Sequence, residues 1–203
     1  MKLFYIHGAN ATPGSFNYLH KQIAQPACFA DYNSSNGFYN NLEKMKSQLA
    51  QDDWFLVTHS LGGVYAAHLQ EFLGSRLKGV VSISAPFGGS ELCDLLVMIH
   101  PFSRLFRDTG TISRPIIEAQ KLMQVSTTSW TAIITNTGPT AYLPTDNDGV
   151  ISTSSQLKLS DRMETVCIDT NHYEILQDNR VLDIIQHRLL VALSAEKTAA
   201  AVA

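Results

Sequence analysis

Charge is scarce and unclustered in this sequence. Only 16% of its 203 residues are charged, the net charge is −3, and no run of lysine or arginine forms. Nucleic-acid binding needs a basic patch, so no nucleic-acid partner is expected. Cysteine is also scarce: Cys28, Cys93 and Cys167 are odd in number and lack metal-ligand spacing. That spacing fits neither a disulfide framework nor a structural zinc site. Cys28 and Cys167 lie in apolar, strand-like runs, so both are expected to be buried, reduced thiols. No apolar window approaches the ~18 residues of a membrane span, so no transmembrane segment is expected. The apolar stretch over residues 3–6 is shorter than the ~7–15 residues of a secretory signal. With reduced thiols and no leader, the expected location is the cytoplasm. Internal repeats and linkers rich in proline or serine are absent too, so a single domain over residues 1–195 is expected. The polar, then alanine-rich segment 196–203 is expected to be a frayed tail.

What is present is a regular alternation of short apolar strands and amphipathic helices, in a chain that is 45% hydrophobic. Strands are expected at 2–6, 27–32, 54–58, 78–84, 131–135 and 164–168. Helices are expected at 15–25, with Ser15 as a cap after the Pro13-Gly14 turn, and at 38–51, with Leu42, Met45 and Leu49 on one face. Two more are expected at 61–73, ended by Gly74, and at 180–193, with Val181, Ile184, Ile185 and Leu189 facing inward. Strands without strict alternation, separated by helices, imply an α/β fold with a mostly parallel sheet of about six strands and helices on both faces. In such sheets chemistry gathers at the carboxyl ends of strands. The loops after Ile6, Thr58, Ser84, Thr135 and Ile168 are therefore the places to look.

One of those loops carries Thr58-His59-Ser60-Leu61-Gly62-Gly63 between a strand and a helix. This resembles the nucleophile elbow, G-x-S-x-G, of the lipase and esterase branch of the α/β-hydrolases. A serine on a strained strand-to-helix turn needs small neighbours two places away. Gly62 meets that need on the helix side and Gly63 adds clearance, whereas Thr58 departs from the pattern. The competing reading makes Ser60 an ordinary helix cap. His7-Gly8-Ala9, directly after the first strand, resembles the H-G-x segment of the same enzymes. The resemblance implies an α/β-hydrolase fold, Ser60 as nucleophile, and an oxyanion hole formed by the N–H groups of Ala9 and Leu61. His7 would then either face substrate or pack and hydrogen-bond locally.

A serine hydroxyl is a weak nucleophile at neutral pH and needs a base. Of seven histidines, His20, His68 and His187 fall within helices, His59 is expected to orient the elbow loop, and His100 precedes Pro101 in the middle of the chain. His172 lies in Thr170-Asn171-His172-Tyr173, between the last strand and the last helix, which looks like the family's terminal histidine loop. Asp146-Asn147-Asp148-Gly149-Val150-Ile151 resembles the D-G-[VL]-[VI] stretch of lipase-like proteins, which implies Asp148 as the acid. Asp146, as turn-former or calcium ligand, and Asp169, on the histidine's own loop, are its rivals. The order Ser60, Asp148, His172 is the family's order.

The remaining segment, about 90–128, is expected to form a helical cap or lid over an acyl-binding cleft, or else a buried connecting helix. Phe87, just before this segment, and Met98 and Phe102 within it are the expected apolar contacts with substrate. Arg104, Arg107 and Arg114 either form a solvated face or receive an anionic group such as phosphopantetheine on an acyl carrier protein. The arginines give a likeness to carboxylesterases that act on a carrier-protein-bound methyl ester. The expected activity is hydrolysis of a small-molecule or acyl-chain carboxylic ester through an acyl-enzyme, with no metal or organic cofactor implied. A thioesterase or acyltransferase with the same triad, and a non-catalytic binding member of the fold, are the alternatives.

Overall fold

The computed structural model describes residues 1–49, 51–138, 140, 143 and 145–202. Six strands form one sheet: β1 (Lys2–Ile6), β2 (Ala27–Phe29), β3 (Trp54–His59), β4 (Leu77–Ile83), β5 (Trp130–Thr135) and β6 (Glu164–Ile168). Their order is β2-β1-β3-β4-β5-β6, and every pairing is parallel. The helices are α1 (Asn17–Lys21), α2 (Phe38–Gln48), α3 (Leu61–Leu73), α4 (Glu91–Ile99), α5 (Arg104–Thr109), α6 (Arg114–Gln124), α7 (Thr153–Gln156) and α8 (Asn179–Val202).

Side chains alternate across each strand, and the alternation builds two cores. Phe4, Ile6 and Leu56 point to the face covered by α2, α3 and α6, where Met45, Val64, Ile116 and Met123 pack. Leu3, Tyr5, Phe55 and Val57 point to the opposite face, where Phe16 and Leu19 meet Val181, Ile185 and Leu189 of α8. β3, β4 and β5 are buried along almost their whole length. That burial explains why they read as continuous apolar runs.

The edge strands behave differently and correct one expectation. Cys28 and Cys167 are exposed rather than buried, and all three cysteines are free. On β2, Ala27 and Phe29 pack against the α8 face; on β6, Val166 and Ile168 do so. The thiols alternate onto the other face, where the covering helices do not reach the sheet's two edges. The first expected helix is also shorter than 15–25. Residues Pro13–Phe16 form a 3-10 turn that includes Ser15, and α1 ends at Lys21. Pro26 disfavours a helical Gln25, so the chain turns before β2 begins. Residues 90–128 divide physically. Ile116, Ala119 and Met123 of α6 are buried in the core, while α4 buries none of its residues.

The chain runs from β2 at one edge back across β1 to β3. The loops leaving β1 and β3 therefore emerge side by side, in register at Ile6 and Thr58. This is the switch point where open parallel sheets leave a crevice. Helix α3 starts so close to β1 that a Cβ on Gly62 would stand 2.2 Å from the Ile6 carbonyl oxygen, and one on Gly63 would stand 2.5 Å from Ala85 Cβ. Backbone cannot yield as a flexible side chain does. Gly62→Ala is therefore expected to cost about 3 kcal/mol or to prevent folding. Urea denaturation checks it, and an unchanged midpoint contradicts the packing described.

Candidate active site

Ser60 joins β3 to α3 with φ 53° and ψ −126°. Gly74, at the other end of the same helix, has φ 53° and ψ −128°. Ser60 thus holds the conformation of Gly74 with a side chain attached, which is the strain expected of an elbow. Its N–H donates to Ile83 O at 2.8 Å and its carbonyl accepts from Gly63 N–H at 2.9 Å, so both neighbouring elements pin the turn. It is not a side-chain cap of α3. Thr58 is fully buried between Ile6 and Ser82 without preventing the turn, because the closest approach falls on Gly62.

Beside the elbow lies the loop after β1. A Cβ on Gly8 would touch Ser60 Cβ at 3.0 Å and approach Ser60 Oγ at 3.5 Å. The loop is shaped by Tyr32, whose hydroxyl reaches His7 O at 2.7 Å and Gly8 O at 3.1 Å. His7 Nδ1 donates to Gly8 O at 2.9 Å, and its ring stacks on Tyr32 at 4.2 Å. These contacts turn the loop's carbonyls toward Tyr32. The N–H groups of Ala9 and Leu61 find no acceptor among the described residues. Leu61 stands at the start of a thirteen-residue helix, where free N–H groups and the dipole favour negative charge. His7 is buried, and burial lowers its pKa. Its polar contact is with its own loop.

His172 and Asp148 meet across two other strand ends. His172 Nδ1 donates to Asp148 Oδ2 at 2.7 Å with both side chains out of water. His172 N–H also donates to Asp148 O at 3.0 Å. Asp148 Oδ1 accepts from the N–H groups of Val150 and Ile151 at 3.0 and 2.8 Å. Oδ2 accepts in addition from Thr135 Oγ1 at 2.6 Å and Gln156 Nε2 at 3.1 Å. Burial alone would raise the carboxyl's pKa. The hydrogen bond and charge of His172, with the Thr135 and Ile151 bonds, outweigh it and hold the group below its usual range. With its proton on Nδ1, neutral His172 carries its lone pair on Nε2.

His59 ties the two halves together. Its Nε2 donates to His172 O at 2.8 Å, and the two rings lie 4.7 Å apart. Burial first, then repulsion from His172, lowers its pKa to about 3, so it stays neutral.

The Ala9 loop, Ser60, Asp148 and His172 follow β1, β3, β5 and β6 in turn, and His59, next to Ser60, bonds the His172 carbonyl. Asp146 and Asp169 are exposed and not bonded to His172. The expected substrate contacts scatter. Phe87 is 1% exposed and packs against Trp130 in the core, because its loop folds under α3 and α6. Met98 and Phe102 are 80% and 92% exposed. Arg114 is held by Glu118 and lies over the Tyr39 ring. Arg104 donates to Asn36 O at 3.0 Å and, with Asn10, Ser35 and Phe102, lines a cleft of about 330 Å³. Arg107 is exposed on α5. Sequence reading missed Tyr32, Thr135 and Gln156. Thr135, a hydroxyl at the end of an apolar strand, carried a weak signal; the polar run around Gln156 carried none.

No protein-family model matches the sequence, and no curated protein matches it. Solved structures resemble its fold. A mature lipase from Bacillus licheniformis, 14% identical, aligns over 91% of this chain and 90% of its own with a TM-score of 0.72. A structure from work on the metagenome-derived lipolytic enzymes LipS and LipT, 11% identical, aligns over 95% and 93% with a TM-score of 0.70. Phospholipase PlaB from Legionella pneumophila, 12% identical, aligns over 77% of this chain with a TM-score of 0.62, and the chain spans 45% of its length. The shared fold is that of the α/β-hydrolases. Among the described residues no helix is long and apolar enough to cross a membrane.

Two consequences can be measured. Relieving the strain at the elbow, Ser60→Gly is expected to stabilise the protein by about 1–3 kcal/mol, read from urea denaturation; a loss of stability contradicts the strain. His59 has a depressed pKa when folded, so the stability it contributes is present above its unfolded value of about 6.5 and is lost as pH falls below it. Between pH 7 and pH 5 that loss is about 2 kcal/mol, and His59→Gln is expected to remove it from the pH dependence of unfolding.

Proposed function

We propose that this chain is a serine hydrolase of carboxylic esters, with Ser60 as nucleophile, His172 as base and Asp148 as the acid that orients it. The observation that carries this reading is the buried His172–Asp148 hydrogen bond at 2.7 Å, tied through His59 to the strained serine turn. The similar structures, described as a lipase, lipolytic enzymes and a phospholipase, support the ester class.

In this mechanism Ser60 Oγ attacks the ester carbonyl carbon as its proton passes to His172 Nε2. The carbonyl π pair moves onto oxygen, and the N–H groups of Ala9 and Leu61 stabilise that oxyanion. Asp148, already ionised, stabilises the imidazolium without taking its proton. The oxyanion collapses, the C–O bond to the alcohol breaks, and His172 returns the proton to the departing alkoxide. Water then repeats the sequence on the acyl-enzyme and releases the acid. The exposed apolar side chains Met98, Ile99 and Phe102 offer a surface for an acyl chain beside the cleft lined by Asn10 and Arg104.

Hydrolysis of p-nitrophenyl esters of graded chain length, with fluorophosphonate labelling, tests the reading. Ser60→Ala is expected to abolish both turnover and labelling. Asp148→Asn is expected to lower kcat by about 10⁴-fold in a folded protein, whereas Asp146→Asn leaves it unchanged. Labelling that persists in Ser60→Ala, or a loss in Asp146→Asn alone, overturns the assignment.

A further inference from the structure

Gln156 ends the short helix α7 and is buried. Its Oε1 accepts from Thr135 N–H at 2.9 Å, and its Nε2 donates to Thr135 O at 2.9 Å and to Asp148 Oδ2 at 3.1 Å. The main chain of β5 therefore fixes which way round the amide lies. Oε1 must face the Thr135 N–H, so an N–H must face the carboxylate. Thr135 Oγ1 lies 2.6 Å from the same Oδ2 and 2.7 Å from Ser84 Oγ. An ionised carboxylate only accepts, so Thr135 gives its proton to Asp148 and Ser84 gives its own to Thr135.

Both carboxylate oxygens are thus met by donors: Val150 and Ile151 N–H at Oδ1, and His172, Thr135 and Gln156 at Oδ2. A protonated Asp148 would set its own O–H against donors already in place. We propose that Gln156 and Thr135 are positioning residues of the hydrolytic site, holding Asp148 ionised and aimed at His172 Nδ1. This rests on Asp148 being the triad acid.

Other titratable groups near Asp148 are few. His59 bonds the His172 carbonyl, Glu91 accepts from Ser152 Oγ at 2.7 Å, and Asp146 and Asp169 are exposed. A carboxyl introduced by Gln156→Glu would lie beside Asp148 itself. Protonated, that carboxyl can still offer an O–H to Oδ2; ionised, it sets a second negative charge against Asp148.

The test is the pH dependence of kcat and KM for p-nitrophenyl butyrate hydrolysis. Gln156→Leu and Thr135→Val are expected to lower kcat about 10- to 100-fold, as loss of a hydrogen bond to a charged group does, with KM unchanged. Thr135→Ser restores the hydroxyl and the rate. Gln156→Glu is expected to retain activity at low pH and lose kcat as pH rises, over a range where the wild-type rate rises or stays level. If Gln156→Leu does not fold by circular dichroism, the Thr135 variants and Gln156→Glu carry the same test. Wild-type kcat in the Leu and Val variants, or a Gln156→Glu profile parallel to wild type, overturns the proposal. Asp148→Asn, measured alongside, separates the two readings. If it is inactive while the positioning variants are unimpaired, this proposal alone fails. If it is fully active, the role given to Asp148 fails, and this proposal with it.

Discussion

A carboxylate held out of water at Asp148 constrains every other part of the site. Desolvation works against its charge, and it stays ionised because its oxygens are saturated by donors from its own loop, from β5, from α7 and from His172. Each donor in turn needs a fixed support. The turn over Asp148–Ile151 supplies two backbone N–H groups. Thr135 is locked by Ser84 behind it, and Gln156 is locked by the main chain of Thr135. The His172 loop is fastened from both sides, by its N–H to Asp148 O and by its carbonyl to His59. Because His59 belongs to β3, the position of the imidazole is transmitted to the serine turn through one neutral ring.

The serine turn carries the opposite kind of cost. Its backbone shares the φ and ψ of Gly74, a conformation that glycine adopts freely and that strains a residue with a side chain. The surroundings overdetermine it. β4 takes the Ser60 N–H, α3 takes its carbonyl, and Gly62 allows the helix to start against the Ile6 carbonyl. Any residue but glycine at position 62 would push α3 away from β1 and release the turn. Local strain at Ser60 is therefore maintained by packing spread over three strands and a helix.

Much of this was legible in the sequence. The six strands and the long helices follow from the apolar pattern, because the central strands are buried on both sides, α3 is buried all round over 61–70, and α2 and α8 are buried on one face. Ser60, Asp148 and His172 were nominated because each stands in a short motif between a strand and the next helix, and the structure buries all three. The errors arose where burial depends on reach rather than pattern. Cys28 and Cys167 sit in apolar runs but lie past the covering helices on edge strands. Phe87 lies in the loop after β4 yet turns inward. Gln156 was illegible for another reason: its value lies in two bonds to one distant residue's main chain, and no spacing rule connects position 156 to position 135.

The network around Asp148 and the α4–α5 region are held by different physics. Ser60, Asp148 and His172 follow β3, β5 and β6, and all three are buried. The α4–α5 region buries no residue of α4, and it is held mainly by polar ties, Asp94 to Thr111 at 2.7 Å and Glu91 to Ser152 at 2.7 Å. Ser152 also caps α7, the helix that ends at Gln156. A change on the outer surface of α4, at Met98 or Ile99, leaves the network around Asp148 untouched, because no bond links them. A change at Glu91 does not, since it loosens the start of the helix that carries Gln156. The outer face of this region is therefore free to vary, while its inner end is bound to the hydrogen-bond network of Asp148.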